Sequence, residues 1–218
     1  MKLIVTGATG MVGEGVLTEC LLHPKVDSVL IVNRTPSGIS HHKLKEIIHK
    51  DFFDLRTIEG DLTGYDGCLF CLGVTSIGKK EPEYTRLTYE LTMNFAKTLS
   101  RLNNGMVFCY VSGAGTDSSE HGKQMWARVK GRTENDLRKL PFKAAYSFRP
   151  GFLIPNPQAK NILPAYKYFK WMVPVLKLLF PNFICSLKEL GLAMVNIVLN
   201  GYSKEVLEVK DIRQLQGN

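Results

Sequence analysis

Residues 2 to 22, KLIVTGATGMVGEGVLTECLL, limit the fold more than any other stretch of the chain. A short apolar run ends at Gly7, after which Val12, Val16, Leu17, Cys20 and Leu21 recur at helical spacing until His23-Pro24 closes the segment. Strand, turn and helix follow one another, with Gly7, Gly10 and Gly13 at the turn. Glycines so placed permit a tight turn, close approach of the main chain to a pyrophosphate, and close packing of helix on strand. The first helical turn then offers unpaired N–H groups to the phosphates. A glycine turn also occurs without a ligand. Here the strand before it, the helix after it and a second strand ending at Asn33 favour dinucleotide binding.

The remainder continues the alternation. DSVLIVNR (27–34) reads as a strand covered on both faces. KLKEIIHKDF (43–52) fits a strand near 45–49, although a short helix also fits, and GCLFCLG (67–73) is a fourth strand. PEYTRLTYELTMNFAKTLSRL (82–102) predicts one long amphipathic helix, GMVFCYVSG (105–113) a fifth strand, 123–140 another helix, and AAYSFRPGFLI (144–154) the sixth strand and its exit. The expected fold is α/β, a Rossmann-type doubly wound parallel sheet. Residues 1–155 are expected to form the NAD(P)-binding domain. Residues 156–218 are expected to add a small α-rich cap and a final helix, SLKELGLAMVNIVLNG (186–201), without forming an independent domain. EVLEVKDI then reads as a short strand with a fraying end.

Composition excludes several classes. A hydrophobic fraction of 44% and a charged fraction of 22% over 218 residues suit one soluble domain, not a disordered or collagenous chain. The net charge of +8 favours anionic partners in general. No Lys/Arg run exceeds two residues, so nucleic acid is not an expected partner. Cys68 and Cys71 are three apart on a strand and face opposite sides, so they cannot share a metal, and no metal site is expected. The odd cysteine count and a strand that starts at once suggest a reducing cytoplasm. The run NILPAYKYFKWMVPVLKLLFPNFIC (161–185) is too broken by proline and lysine to span a membrane. A substrate cap with its lysines in solvent is expected there. The alternative is weak membrane-surface contact through residues 161–180, where Lys167, Lys170 and Lys177 recur at spacings of three and seven.

At the end of the second strand a carboxylate would accept hydrogen bonds from the adenosine ribose. Asn33 and Arg34 stand there instead, and a guanidinium suits a 2′-phosphate, so NADP(H) is expected ahead of NAD(H). Asp61 and Leu62, in IEGDLTG, are placed to hold the adenine edge.

The segments VTGATGMVG, GDLTG, FCLGVTS, YVSGAG, the Lys130 helix and FRPGFLIP occur in an order that resembles the extended and atypical short-chain dehydrogenase/reductases. The resemblance is to the NAD-dependent epimerase/dehydratase-like, NAD(P)H-binding branch that includes the Tat-interacting oxidoreductase-like proteins. It covers residues 1–155 well and the remainder loosely. It implies that Gly7, Thr9, Gly10, Met11, Val12 and Gly13 hold the pyrophosphate, that Arg34 beside Asn33 takes the 2′-phosphate, and that Asp61 and Leu62 meet the adenine. Leu72 and Gly73 would lie beside the ribose, and Pro150, Gly151 and Phe152 would form the nicotinamide-side loop. Ser112 matches the family's active-site serine and Lys130 its catalytic lysine.

That family passes a proton through a tyrosine four residues before the lysine, and Trp126 stands at that position. An indole N–H can donate a hydrogen bond but has no accessible ionisation. Three readings stay open. Trp126 is core, in a stripe with Met125, Val129, Leu137 and Leu140. Or it walls the site, with the proton supplied by Ser112, water, His121 or a desolvated Lys130. Or another tyrosine, Tyr84, reaches in. The expected function is an NADP(H)-binding oxidoreductase acting on an apolar or bulky carbonyl or alcohol, with Ser112 and Lys130 carrying the chemistry. The alternative is a catalytically weak NADP(H)-responsive regulatory or binding protein. Oligomeric state is not legible.

Overall fold

The glycine turn forms where the sequence predicts it. β1 (Lys2–Thr6) feeds it and α1 (Met11–Leu22) leaves it. In the computed structural model the described residues are 1–156, 161 and 179–217. β2 (Ser28–Asn33), β3 (Leu44–Ile48) and β4 (Gly67–Phe70) follow, with a 3-10 turn at Arg56–Leu62. β5 (Val107–Val111), α4 (Met125–Leu137) and β6 (Ala144–Arg149) complete the first part, after a helical region over 81–102. The sheet is parallel throughout in the order β3-β2-β1-β4-β5-β6-β9, where β9 is Val206–Glu208. Strand order reverses between β1 and β4, and Thr6 lies opposite both Val32 and Phe70, so a crevice opens at the carboxyl ends of these strands.

Each face of the sheet has its own core. On one face Leu3, Val5, Val29 and Ile31 pack with α1 and with α5 (Leu187–Asn200). The two helices pack closely where glycine on one faces a side chain of the other: a Cβ on Gly15 would stand 2.6 Å from Leu187 Cβ and one on Gly191 2.7 Å from Glu19 Cγ. The C-terminal helices α5 and α6 (Val209–Leu215) cap this layer. On the other face aromatic rings run from Phe52 through Phe95, Phe70 and Phe108 to Phe142, with successive centroids 5.0 to 5.8 Å apart. Cys68 joins this second core while Cys71 packs against the first, as the strand period requires.

Three expectations need correction. The long helix 82–102 is α2 (Glu81–Thr85), a π-helical turn (Arg86–Glu90) and α3 (Leu91–Leu102). The wide turn shifts the register, so that Tyr84 before it, Thr88 within it and Met93, Ala96 and Leu99 after it are all buried. The strand 144–154 breaks after Arg149. Pro150 offers no N–H, and Gly151 sits where a Cβ would lie 2.1 Å from the Phe183 carbonyl oxygen, so β7 (Phe152–Ile154) leaves to pair with β8 (Ile184–Ser186). The supposed fraying end is α6, nucleated by a reciprocal cap between Glu208 and Asp211. Lys167, Lys170 and Lys177 lie outside the described residues, as does most of the segment 161–180. No helix among the described residues is long and apolar enough to cross a membrane.

Candidate active site

The crevice holds two cavities that meet. The smaller, about 270 Å³, is lined by Gly7, Thr9, Gly10, Val32, Asn33, Arg34 and Phe52. The larger, about 550 Å³, is lined by Met11, Val12 and Gly13 of α1 and by Tyr84, Ser112, Trp126, Lys130, Pro150 and Gly151. Gly10, Cys71, Leu72 and Gly73 belong to both, so the passage between the cavities runs over the glycine turn.

Main-chain contacts shape this turn. Gly7 has φ of +71°, and a Cβ on it would lie 2.8 Å from the Cys71 carbonyl oxygen. A Cβ on Gly13 would lie 2.1 Å from the Gly7 oxygen. Gly10 caps α1 with no side-chain hydrogen bond, so no side chain of the cap residue covers the amides of the first turn. These residues fit a pyrophosphate.

At the other end, Trp126 and Lys130 stand one helical turn apart on α4 and both line the larger cavity. Trp126 is half-buried and faces the cavity instead of filling the core, where Val129 and Leu137 lie. α4 is held close by Gly131, whose Cβ would fall 1.8 Å from the Asp117 carbonyl oxygen. Lys130 Nζ donates to the Ser112 carbonyl oxygen at 3.0 Å and lies 5.8 Å from the centre of the Tyr110 ring. Burial pulls its pKa down to about 8, against the opposing pull of the Glu134 carboxylate. Glu134 is fully buried and forked onto Arg149 of the FRPG segment, with Nε to Oε1 at 3.0 Å and Nη2 to Oε2 at 2.5 Å.

Ser112 Oγ lies 2.9 Å from Thr116 Oγ1, which donates its one hydrogen to the Gly113 carbonyl at 2.8 Å. Ser112 is therefore the donor in that pair and must release Thr116 to bond a substrate oxygen. Tyr84 is 2% exposed, and burial pushes its phenol above the ordinary value, with the Thr88 side chain opposing.

The structure brings together most residues singled out from sequence. Asp61 and Leu62 are not among the lining residues: Asp61 pairs with Lys45 at 2.6 Å and Leu62 is core. Phe152, on β7, lines neither cavity. His121, exposed in the loop before α4, lines neither as well. Sequence reasoning missed Phe52, a wall of the smaller cavity, and Phe183 and Leu153 at the larger one. No motif marks Phe52, and the other two depend on how β7 meets β8.

No family model matches the chain. A solved short chain dehydrogenase family protein from Francisella tularensis superposes with a TM-score of 0.63 at 18% identity, covering 92% of this chain and 91% of that one. The chain shares with this protein the doubly wound, parallel-sheet Rossmann fold. The Bordetella bronchiseptica enzyme WbmG, solved in complex with NAD, shares this fold with a TM-score of 0.66 at 14% identity, covering 100% of this chain and 79% of WbmG. Among curated sequences, protein fmp52-1, mitochondrial, of Aspergillus oryzae is 30% identical over 153 residues, 67% of this chain and 63% of the relative. The chain spans about two thirds of the length of the curated relatives it matches.

These likenesses correct two expectations. WbmG and WbmF of the same fold were captured with NAD or NAD⁺, which overturns the expected preference for NADP(H). A lone exposed guanidinium such as Arg34 does not by itself make a phosphate site. The matching relatives are named mitochondrial, which overturns the cytoplasmic expectation. Reduced thiols report redox conditions and do not distinguish one reducing compartment from another.

Proposed function

We propose that the chain is an NAD-dependent oxidoreductase that interconverts a bulky or apolar carbonyl compound and its alcohol. One observation carries this reading: two cavities joined over the glycine turn, with Lys130 in the larger and the end of β2 in the smaller. Gly7, Thr9, Gly10 and the first turn of α1 would hold the pyrophosphate. Val32, Asn33 and Phe52 would receive the adenosine, and Lys130, Pro150 and Gly151 the nicotinamide side. NAD supplies hydride exchange when bound.

The chain's own groups do the rest. Lys130, tethered to the end of β5, orients the nicotinamide-side ribose and keeps positive charge near the substrate oxygen. Trp126, Leu153 and Phe183 exclude water from an apolar wall. A proton must reach the oxygen as a carbonyl is reduced. Tyr84 holds a neutral phenol on the same cavity wall, while the Ser112 hydrogen is committed to Thr116. Tyr84 is the proton donor we favour.

A second reading has its own observation. Trp126 occupies the position of the family's acid, and an indole cannot titrate there, which suits a binding protein that responds to NAD without turnover. NADH oxidation across a panel of apolar aldehydes and ketones separates the two. Turnover lost in Lys130→Ala supports the enzyme, whereas calorimetric NADH binding with no oxidation across the panel supports the sensor. Absence of any heat with NAD⁺ or NADH sinks both.

A further inference from the structure

We propose that Glu46 on β3 selects the unphosphorylated adenosine by fixing the Asn33 amide, an inference that rests on the dinucleotide-binding reading above. Asn33 ends β2, lines the smaller cavity and is 3% exposed. Its Nδ2 donates to Glu46 Oε1 at 2.9 Å, and the same oxygen accepts from the Ser37 amide at 2.9 Å. An NH₂ group only donates and an amide oxygen only accepts, so the contact with Glu46 decides which way the Asn33 amide faces.

What remains is Asn33 Oδ1, a buried acceptor with no partner among the described residues. Buried acceptors are rarely left so, and this one lies on a residue of the cavity wall. A ribose hydroxyl has the hydrogen it lacks. A 2′-phosphate has none to give at neutral pH, and it would meet that oxygen with the Glu46 carboxylate directly behind the amide. Like charges that close repel. Arg34 is the opposing charge on the rim, but it is exposed, whereas the carboxylate is pinned by two hydrogen bonds. The negative charge behind the group that reads the ribose therefore comes from β3, one strand outward from the position where the sequence reading looked for it.

Glu46 is thus a positioning residue, and its signature is a ratio of affinities. Calorimetry of the full chain with NAD⁺ and NADP⁺ measures it. The wild type is expected to bind NAD⁺ at least about tenfold tighter, and Glu46→Gln to narrow the ratio by about tenfold, chiefly through stronger NADP⁺ binding. Asn33→Ala, a second variant in case the first misfolds, is expected to weaken NAD⁺ by about tenfold and NADP⁺ by less. Melting curves check that each variant folds. An unchanged ratio in Glu46→Gln, equal weakening of both dinucleotides in Asn33→Ala, or a wild type that prefers NADP⁺ overturns the proposal while leaving dinucleotide binding intact. A wild type that binds neither overturns the functional reading and this one together.

Discussion

The two ends of the crevice are built by different means. Around the glycine turn the main chain makes the site: Gly7 and Gly13 meet carbonyl oxygens at distances no Cβ could share, and the ligand-facing groups are amides that every residue carries. Around Lys130 the site is made of side chains from separate elements, namely Tyr84 on α2, Ser112 after β5, and Trp126 and Lys130 on α4. A main-chain site tolerates many substitutions outside its glycines and fails at those glycines. A side-chain site can keep its shape while one exchange alters its chemistry.

The sharpest way to break this contrast is Gly13→Ala. The new methyl would need the space 2.1 Å from the Gly7 oxygen, and both partners are backbone, so neither can swing aside. We expect a loss of roughly 4 kcal/mol in denaturant unfolding and no calorimetric NAD⁺ binding. Retained binding with native stability would show that the turn is less tightly specified than the geometry implies.

Next in size is Glu134→Gln. The carboxylate is fully buried against Arg149, and its loss leaves the guanidinium only the more exposed Glu208 carboxylate, 3.8 Å away, at an expected cost of about 3 kcal/mol. Because Arg149 precedes the Pro150-Gly151 turn, the larger cavity should loosen while the smaller does not. Binding of AMP, which reaches only the smaller one, should hold within about twofold in the folded variant, this being the ordinary independence of distant sites.

The same contrast explains what the sequence made legible. Gly7, Gly10, Gly13 and the strand pattern announced a parallel sheet, since those constraints are local and periodic. Most elements fall within a few residues of their predicted limits, β3 at Leu44–Ile48 against 45–49 for example. The π-helical turn was not legible, because a wide turn leaves apolar spacing that a single helix also satisfies. Nor was β7, whose partner β8 lies thirty residues on and whose course depends on Pro150 and Gly151 together. At the site, Lys130 and Ser112 could be found from their neighbours in sequence. Glu46 and Phe52 could not, because their role comes from strand pairing that places β3 beside the end of β2. Arg34 meets the same limit: its residue type was visible, but the Glu46 carboxylate that holds the neighbouring Asn33 amide was not.

Lys130→Met sharpens the comparison through pH. Burial holds the Lys130 pKa at about 8, below the ordinary 10.5 of the unfolded chain. Below about 8 both states carry the proton and the native state bears the whole cost of the buried charge. Between about 8 and 10.5 the unfolded chain binds more protons than the native one, so wild-type stability should climb with pH. The climb should be on the order of 1–2 kcal/mol, discounted for partial exposure, and absent in Lys130→Met, which should be the more stable protein at pH 7. Urea unfolding from pH 7 to 10.5 measures it, and parallel curves for the two proteins would place the ammonium in water instead of in the cavity wall.

The smallest expected effect bears on the missing hydroxyl itself. Tyr84 and Trp126 line one cavity from different helices, so the proton route can be moved without rebuilding the fold. Tyr84→Phe should lower carbonyl reduction about tenfold with NADH affinity unchanged, since the phenol contributes to the chemical step and not to the nucleotide. Trp126→Tyr in that background sets a hydroxyl one turn before Lys130, whose ammonium can lower its pKa, and should recover most of the loss. Tyr84→Phe without effect on turnover would return the proton to Ser112 or to water. Rescue by Trp126→Tyr would show that the side-chain end of the crevice can exchange its acid while the main-chain end stays as it is.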